Sequence, residues 1–215
     1  LILLLHGGGQ TRHAWKSTGM ILSEQGFFAV AIDARGHGDS GWSKDGIYEQ
    51  DLMVNDLIEV CQQLDTEASA FVGASMGGGT ILIAAGEKKM PVEGIVLVDI
   101  APQIEEEGVS RIGDFMRAQP EGFDTLEEVA NLISRYQPHR RKPDNLDGLS
   151  KNLRLHEDGK YRWHWDPRFM GMRRDRKHRT ERLSDCSKRI AVPTLLIRGG
   201  LSDVLSEEGA QNFLK

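Results

Sequence analysis

One serine in this chain stands where a serine can react. Gly73-Ala74-Ser75-Met76-Gly77 is a G-x-S-x-G inside the stretch FVGASMGGGTILIAAG. An apolar, strand-like run precedes it and a helix-forming run follows, so Ser75 falls on a strand-to-helix turn. A serine hydroxyl is a weak nucleophile and must stand clear of its surroundings where a base can reach it. A sharp turn does this at the cost of backbone strain. The glycines two positions to either side leave room for the turn, and Gly78, Gly79, Ala84 and Ala85 let the following helix lie close on its neighbours. Attack on an acyl group builds negative charge on the former carbonyl oxygen, so backbone donors are needed beside the nucleophile.

Two other glycine-rich patterns carry less. GASMGGGT spaces like a phosphate loop, but Gly79 occupies the lysine position, so nothing supplies charge for a terminal phosphate. GHGDSG (36–41) matches G-x-G-x-x-G, yet GWSKDGIY follows it instead of a helix, and no helix N-terminus faces a pyrophosphate.

The elements that must position Ser75 can be read from the apolar runs LILLL (1–5), FFAVAI (27–32), SAFVGA (69–74), GIVLVDI (94–100) and TLLIRG (194–199). Runs this short and continuous read as strands buried on both faces. Helix-period segments lie between them at 13–25, closed by Gly26, at 48–65 and at 76–86. Strands alternating with helices predict a parallel sheet. The alternation stops after LVDIAP and resumes at VPTLLI, a gap too long for an ordinary connection. The expected division is a core over 1–100, a mostly helical insertion over 101–190 and a return to the core over 191–215. Within the insertion, DTLEEVANLISRY predicts an amphipathic helix opened by Asp124 or Thr125, and LRLHEDGKYRWHWD predicts a hairpin around Asp-Gly.

The 215 residues, 39% hydrophobic, suffice for a real core, and the net charge of −5 offers no general attraction to nucleic acid or anionic lipid. A small molecule is the expected partner. The insertion differs in charge: residues 101–190 hold 19 Lys and Arg against 16 Asp and Glu. Cys61 and Cys186 are far apart, with no Cys or His spacing that suggests a disulfide framework or a metal site. No apolar run approaches membrane-spanning length. The expected compartment is the cytoplasm, and the chain reads as beginning inside a strand.

Five blocks in order, LLLHGGG, AIDARGHGDS, VGASMGG, LVDIAP and VPTLLIRGGLSD, resemble the α/β-hydrolase fold superfamily. The resemblance implies a parallel-sheet α/β fold that begins here at the family's third strand and stops before its eighth, with a cap inserted after the sixth. It implies Ser75 as nucleophile and the N–H groups of Met76 and Gly8 as oxyanion donors, with Gly9 in reserve. Asp203, in the loop after the next-to-last strand, is implied as the acid that holds a histidine, and Asp99 at the end of the sixth strand is its rival. An N-cap for the helix that follows is the structural alternative for Asp203. His6 and His37 fall where the family uses structural residues, and His139, His156, His164 and His178 lie in the insertion. The implied histidine base therefore lies beyond Lys215. The activity implied is cofactor-independent hydrolysis of a small ester, lactone, thioester or similar acyl compound. Perhydrolases labelled as non-haem haloperoxidases and carbon–carbon bond hydrolases share these blocks. A non-catalytic ligand-binding member of the fold is the alternative of another class. Epoxide hydrolase and haloalkane dehalogenase chemistry is disfavoured, because those relatives carry Asp at the position of Ser75.

The basic stretches MRRDRKHRTERL (172–183) and HRRK (139–142) read as solvated surface, since acidic residues interleave the first and no aromatic platform accompanies it. Phe115, Met116, Trp163, Trp165, Phe169 and Met170 could line an acyl pocket under the cap or form the cap's own core.

Overall fold

The computed structural model describes residues 1–64, 70–139, 141–142, 145–171 and 175–214. Five strands form one parallel sheet: β1 (Ile2–Leu5), β2 (Ala29–Ile32), β3 (Ala70–Ala74), β4 (Gly94–Val98) and, after a two-stranded hairpin of β5 (Leu153–Leu155) and β6 (Tyr161–Trp163), β7 (Thr194–Ile197). Their order is β2-β1-β3-β4-β7. The helices are α1 (Lys16–Glu24), α2 (Gln50–Gln63), α3 (Met76–Gly86), α4 (Glu106–Arg117), α5 (Leu126–Tyr136), α6 (Arg176–Lys188) and α7 (Glu207–Phe213).

In the central strands β1 and β3 the apolar runs are continuous because both sheet faces are covered, whereas β7, at the outer edge, leaves one face exposed and is not buried on both faces as its sequence suggested. Leu3, Leu5 and Phe71 join a core with residues of α2, α3 and α6. Ile2, Leu4 and Val72 point the other way and pack with Trp15 and Leu22. The registers Leu5↔Gly73, Ala74↔Val98 and Val98↔Ile197 bring the strands to a common C-terminal edge, where the loops carrying the candidate site residues leave the sheet. Exposed apolar side chains lie at both outer strands, with Phe27 and Phe28 leading into β2 and Leu195 and Ile197 on β7.

The expected insertion has two destinations. α4, α5, the β5–β6 hairpin and a 3₁₀ turn at Pro167–Gly171 gather over the C-terminal edge. α6 packs instead on α3 and contributes Leu183 and Cys186 to the main core. The Arg182 guanidinium binds it there, donating to Asp51 of α2 (2.6 and 3.0 Å) and to Glu87 just past α3 (2.7 and 3.0 Å). The basic run read as solvated surface thus contains an anchor; its residues 172–174 lie outside the described residues.

The local predictions for the cap hold. Asp158-Gly159 turns the hairpin, with Gly159 at φ +79°. Thr125 caps α5 by accepting from the Glu128 N–H (3.3 Å). The segment following the hairpin docks on the loop after β2: Gly38 N–H donates to the His164 carbonyl and Asp166 N–H to the Gly36 carbonyl, each at 2.8 Å. Buried Asp166 accepts from the Tyr48 hydroxyl and from Arg168 (2.7 Å). Burial, followed by the Asp166 bond, pushes the Tyr48 phenol up to about 12.

Candidate active site

Ser75 joins β3 to α3 with φ 45° and ψ −107°, a conformation that L-residues rarely adopt. Packing holds it there. A Cβ on Gly73 would lie 2.5 Å from the Gly78 nitrogen, and one on Gly77 would lie 2.6 Å from the Leu5 Cβ and carbonyl oxygen. Only glycine at both positions lets α3 start this close to β1. The Ser75 N–H donates to the Val98 carbonyl (3.2 Å), and the Ser75 hydroxyl makes no hydrogen bond among the described residues.

The loop after β1 runs beside this turn, and a Cβ on Gly7 would sit 3.5 Å from that of Ser75. Its three glycine N–H groups are not equivalent. Gly7 N–H donates to Gln10 Oε1 (3.0 Å) and Gly9 N–H to His37 Nε2 (3.1 Å). Gly8 N–H has no partner among the described residues. The Met76 N–H, at the first position of α3, is likewise without an acceptor there, as expected of a helix N-terminus. The two donors named from the sequence are therefore the uncommitted ones, and Gly9, the reserve, is engaged elsewhere.

Asp203 and Asp99 both sit at the same edge of the sheet and differ in what they hold. Asp99, at φ 55°, accepts from Gly199 N–H through Oδ1 (3.1 Å) and from the Ser202 hydroxyl through Oδ2 (2.7 Å), so both oxygens brace the loop leading to Asp203. Asp203 Oδ2 accepts from Arg111 of α4 (2.6 Å), while Oδ1 has no hydrogen bond among the described residues. Asp203 does not cap α7: that position belongs to Ser206, which accepts from Gly209 N–H (3.1 Å).

His6 and His37 are both buried. His6 Nδ1 donates to the Gly7 carbonyl (2.8 Å) and Nε2 accepts from Ala34 N–H (3.0 Å), and burial lowers its pKa. Both ring nitrogens thus serve the turn. Burial also lowers the pKa of His164, whose Nε2 is 3.9 Å from Asp39. No described histidine hydrogen-bonds to Ser75.

Trp163, Trp165 and Phe115 meet one another. Trp163 and Trp165 stack at 4.8 Å between centroids, Phe115 lies 5.5 Å from Trp163, and Phe115 stacks on Tyr136 at 4.4 Å. They line neither of two cavities at this end of the molecule. One, of about 230 Å³, is walled by Thr11, Arg12, Asp39, Lys151, Arg154 and His164 among others. The other, of about 700 Å³, runs between the loop after β2 and α2 and reaches His6 and Met76. Phe169 and Met116 approach the glycine loop after β1. A Cβ on Gly8 would be 3.6 Å from the Phe169 ring, and one on Gly9 would be 3.0 Å from the Met116 methyl. Gln10 and Arg111 were not foreseen; only proximity in the fold marks them. Among the described residues no group of three His, Cys, Asp or Glu is placed to hold a metal, and no helix is long and apolar enough to cross a membrane.

A parallel sheet bearing a strained serine at a strand-to-helix turn, opposite a glycine loop with a free N–H, defines an α/β hydrolase. The chain belongs to that superfamily: residues 1–215 match the family model Hydrolase_4, described as serine aminopeptidase, S33. It is 29% identical over 218 residues to the esterase Rv0045c of Mycobacterium tuberculosis, covering 96% of this chain and 68% of that one. A solved structure of that esterase superposes with a TM-score of 0.77 at 26% identity, over 99% of this chain and 72% of the other. A 3-hydroxybutyrate-oligomer hydrolase of Cupriavidus necator is 26% identical over 83% of this chain, which spans 65% of that relative's length. A hydrolase structure from Rickettsia typhi, 20% identical, shares the fold with a TM-score of 0.85 over 99% of this chain and 74% of its own.

Proposed function

We propose that this protein is a serine hydrolase of small carboxylic esters, lactones, thioesters or comparable acyl compounds. The observation that carries the reading is Ser75 at φ 45°, hydroxyl unengaged, with the uncommitted N–H groups of Met76 and Gly8 on neighbouring backbone. Ser75 attacks the acyl carbon, and the two N–H groups stabilise the oxyanion. Asp203 is the acid, favoured over Asp99 because Oδ1 of Asp203 is open to an imidazole N–H while both oxygens of Asp99 are engaged. By the chain order Ser, acid, His, the base is a histidine that follows Asp203. The similarity to two ester hydrolases supports the ester class. The apolar side chains exposed just before β2 and on β7 lie at the two outer edges of the sheet. No cofactor enters this chemistry. In the full-length protein a fluorophosphonate labels Ser75, and Ser75→Ala abolishes both labelling and hydrolysis of an activated ester. Label on another residue would overturn the assignment.

A further inference from the structure

We infer that His37 is a positioning residue for the oxyanion hole, fixing the Gly8 N–H by holding the next peptide of the loop, and that it ties this geometry to the docked cap. The inference rests on the hydrolase reading above.

The geometry is specific. Gly9 N–H donates to His37 Nε2 (3.1 Å), so Nε2 is unprotonated, and Nδ1 carries the proton it donates to the Arg35 carbonyl (3.1 Å). An imidazole locked in one tautomer is a directional acceptor for a loop that glycines leave free to twist. With Gly7 held by Gln10 and Gly9 held by His37, the intervening Gly8 N–H is left as the free donor. His37 is wholly buried, its ring centroid 5.2 Å from that of His6 and 4.9 Å from that of Phe169, the latter pair nearly perpendicular. Phe169 belongs to the cap, and His37 itself forms an isolated antiparallel bridge with Trp165 of the cap. Chain from 164 to 169 therefore sets the place of a ring that sets the place of a catalytic donor. The nucleophile, acid and base leave His37 no other part in the reaction.

Three substitutions in the full-length enzyme test this. His37→Asn keeps a donor near the place of Nδ1 but is too short to reach Gly9. His37→Phe keeps the ring volume between His6 and Phe169. His37→Gln restores an acceptor at the reach of Nε2. Asn and Phe are expected to lower kcat by about 10²–10³ with KM nearly unchanged, the scale of losing one oxyanion donor, and Gln to recover most of the loss. The inhibition constant of a trifluoromethyl ketone, whose adduct places an oxyanion in the hole, should rise in step with the fall in kcat/KM. Thermal melting establishes that each variant is folded at the assay temperature, and should Asn fail to fold, Phe carries the comparison. Wild-type turnover in a folded Asn or Phe variant, or a loss of rate with ketone affinity unchanged, overturns the inference while Ser75 labelling stays intact. Absence of fluorophosphonate labelling at Ser75 in the wild type removes the hydrolase reading and this inference with it.

Discussion

Replacing Arg182 by methionine tests how α6 is held against α2 and α3. Arg182 lies on α6, and its side chain is 23% exposed between those of Asp51 and Glu87, which are 49% and 23% exposed. Its bond holds the Asp51 carboxyl down at about 2, from an ordinary 3.8. Taken whole, that depression would be worth about 2.5 kcal/mol. Half-exposed carboxylates are screened by water, which leaves about 1 kcal/mol. The better buried Glu87 adds about 1–1.5 kcal/mol for its charge-assisted bonds. Lys89 stays 3.0 Å from Glu87 and 3.3 Å from Asp51 and retains part of the attraction. The expected loss at neutral pH is about 2 kcal/mol, a fall of about 4–8 °C in Tm for a chain of this size. Methionine keeps most of the apolar stem, so the loss reports on charge. A depressed carboxyl stabilises the fold above its ordinary pKa and loses that contribution as pH falls through the folded value. The Tm gap between wild type and Arg182→Met should therefore narrow from about pH 4 to about pH 2. A gap below 1 °C at neutral pH, or one constant across the acid range, refutes the reasoning.

Three further outcomes are expected. In the full-length enzyme Asp203→Asn should cost on the order of 10⁴ in kcat, the scale of losing control of the imidazole tautomer, while Asp99→Asn lowers mainly stability; the reverse pattern would make Asp99 the acid. Gly77→Ala should destabilise by about 1–3 kcal/mol in urea titration, because its methyl would fall 2.6 Å from Leu5, and an unchanged midpoint would contradict that contact. Burial lowers the pKa of His6, so its contribution to stability is present above the ordinary 6.5 and is lost as pH falls below it. His6→Asn should flatten that acid slope, and an NMR titration placing the His6 pKa above the ordinary 6.5 would contradict burial as its dominant environment.

What the sequence determined on its own is local. The G-x-S-x-G at a strand-to-helix turn, the existence of the five strands, the Asp-Gly hairpin and the Thr125 cap are each written within about a dozen residues, where periodicity and turn chemistry act without help from the rest of the chain. The resemblance to a known fold family extended this to the order of the elements and to Ser75, Met76, Gly8 and Asp203 as residues to inspect. Only the tertiary structure decided which of these residues are chemically free. Gly7, Gly8 and Gly9 are indistinguishable in sequence, and they separate because Gln10 and His37 consume two of the three N–H groups. Asp99 and Asp203 separate for the same reason, through Gly199, Ser202 and Arg111. The basic run around Arg182 reads as surface until α6 is laid across α3. Hydrogen bonds and ion pairs between residues 28 to 131 positions apart carry no period along the chain, so the partner that spends a donor or acceptor becomes known only when the fold brings the two together.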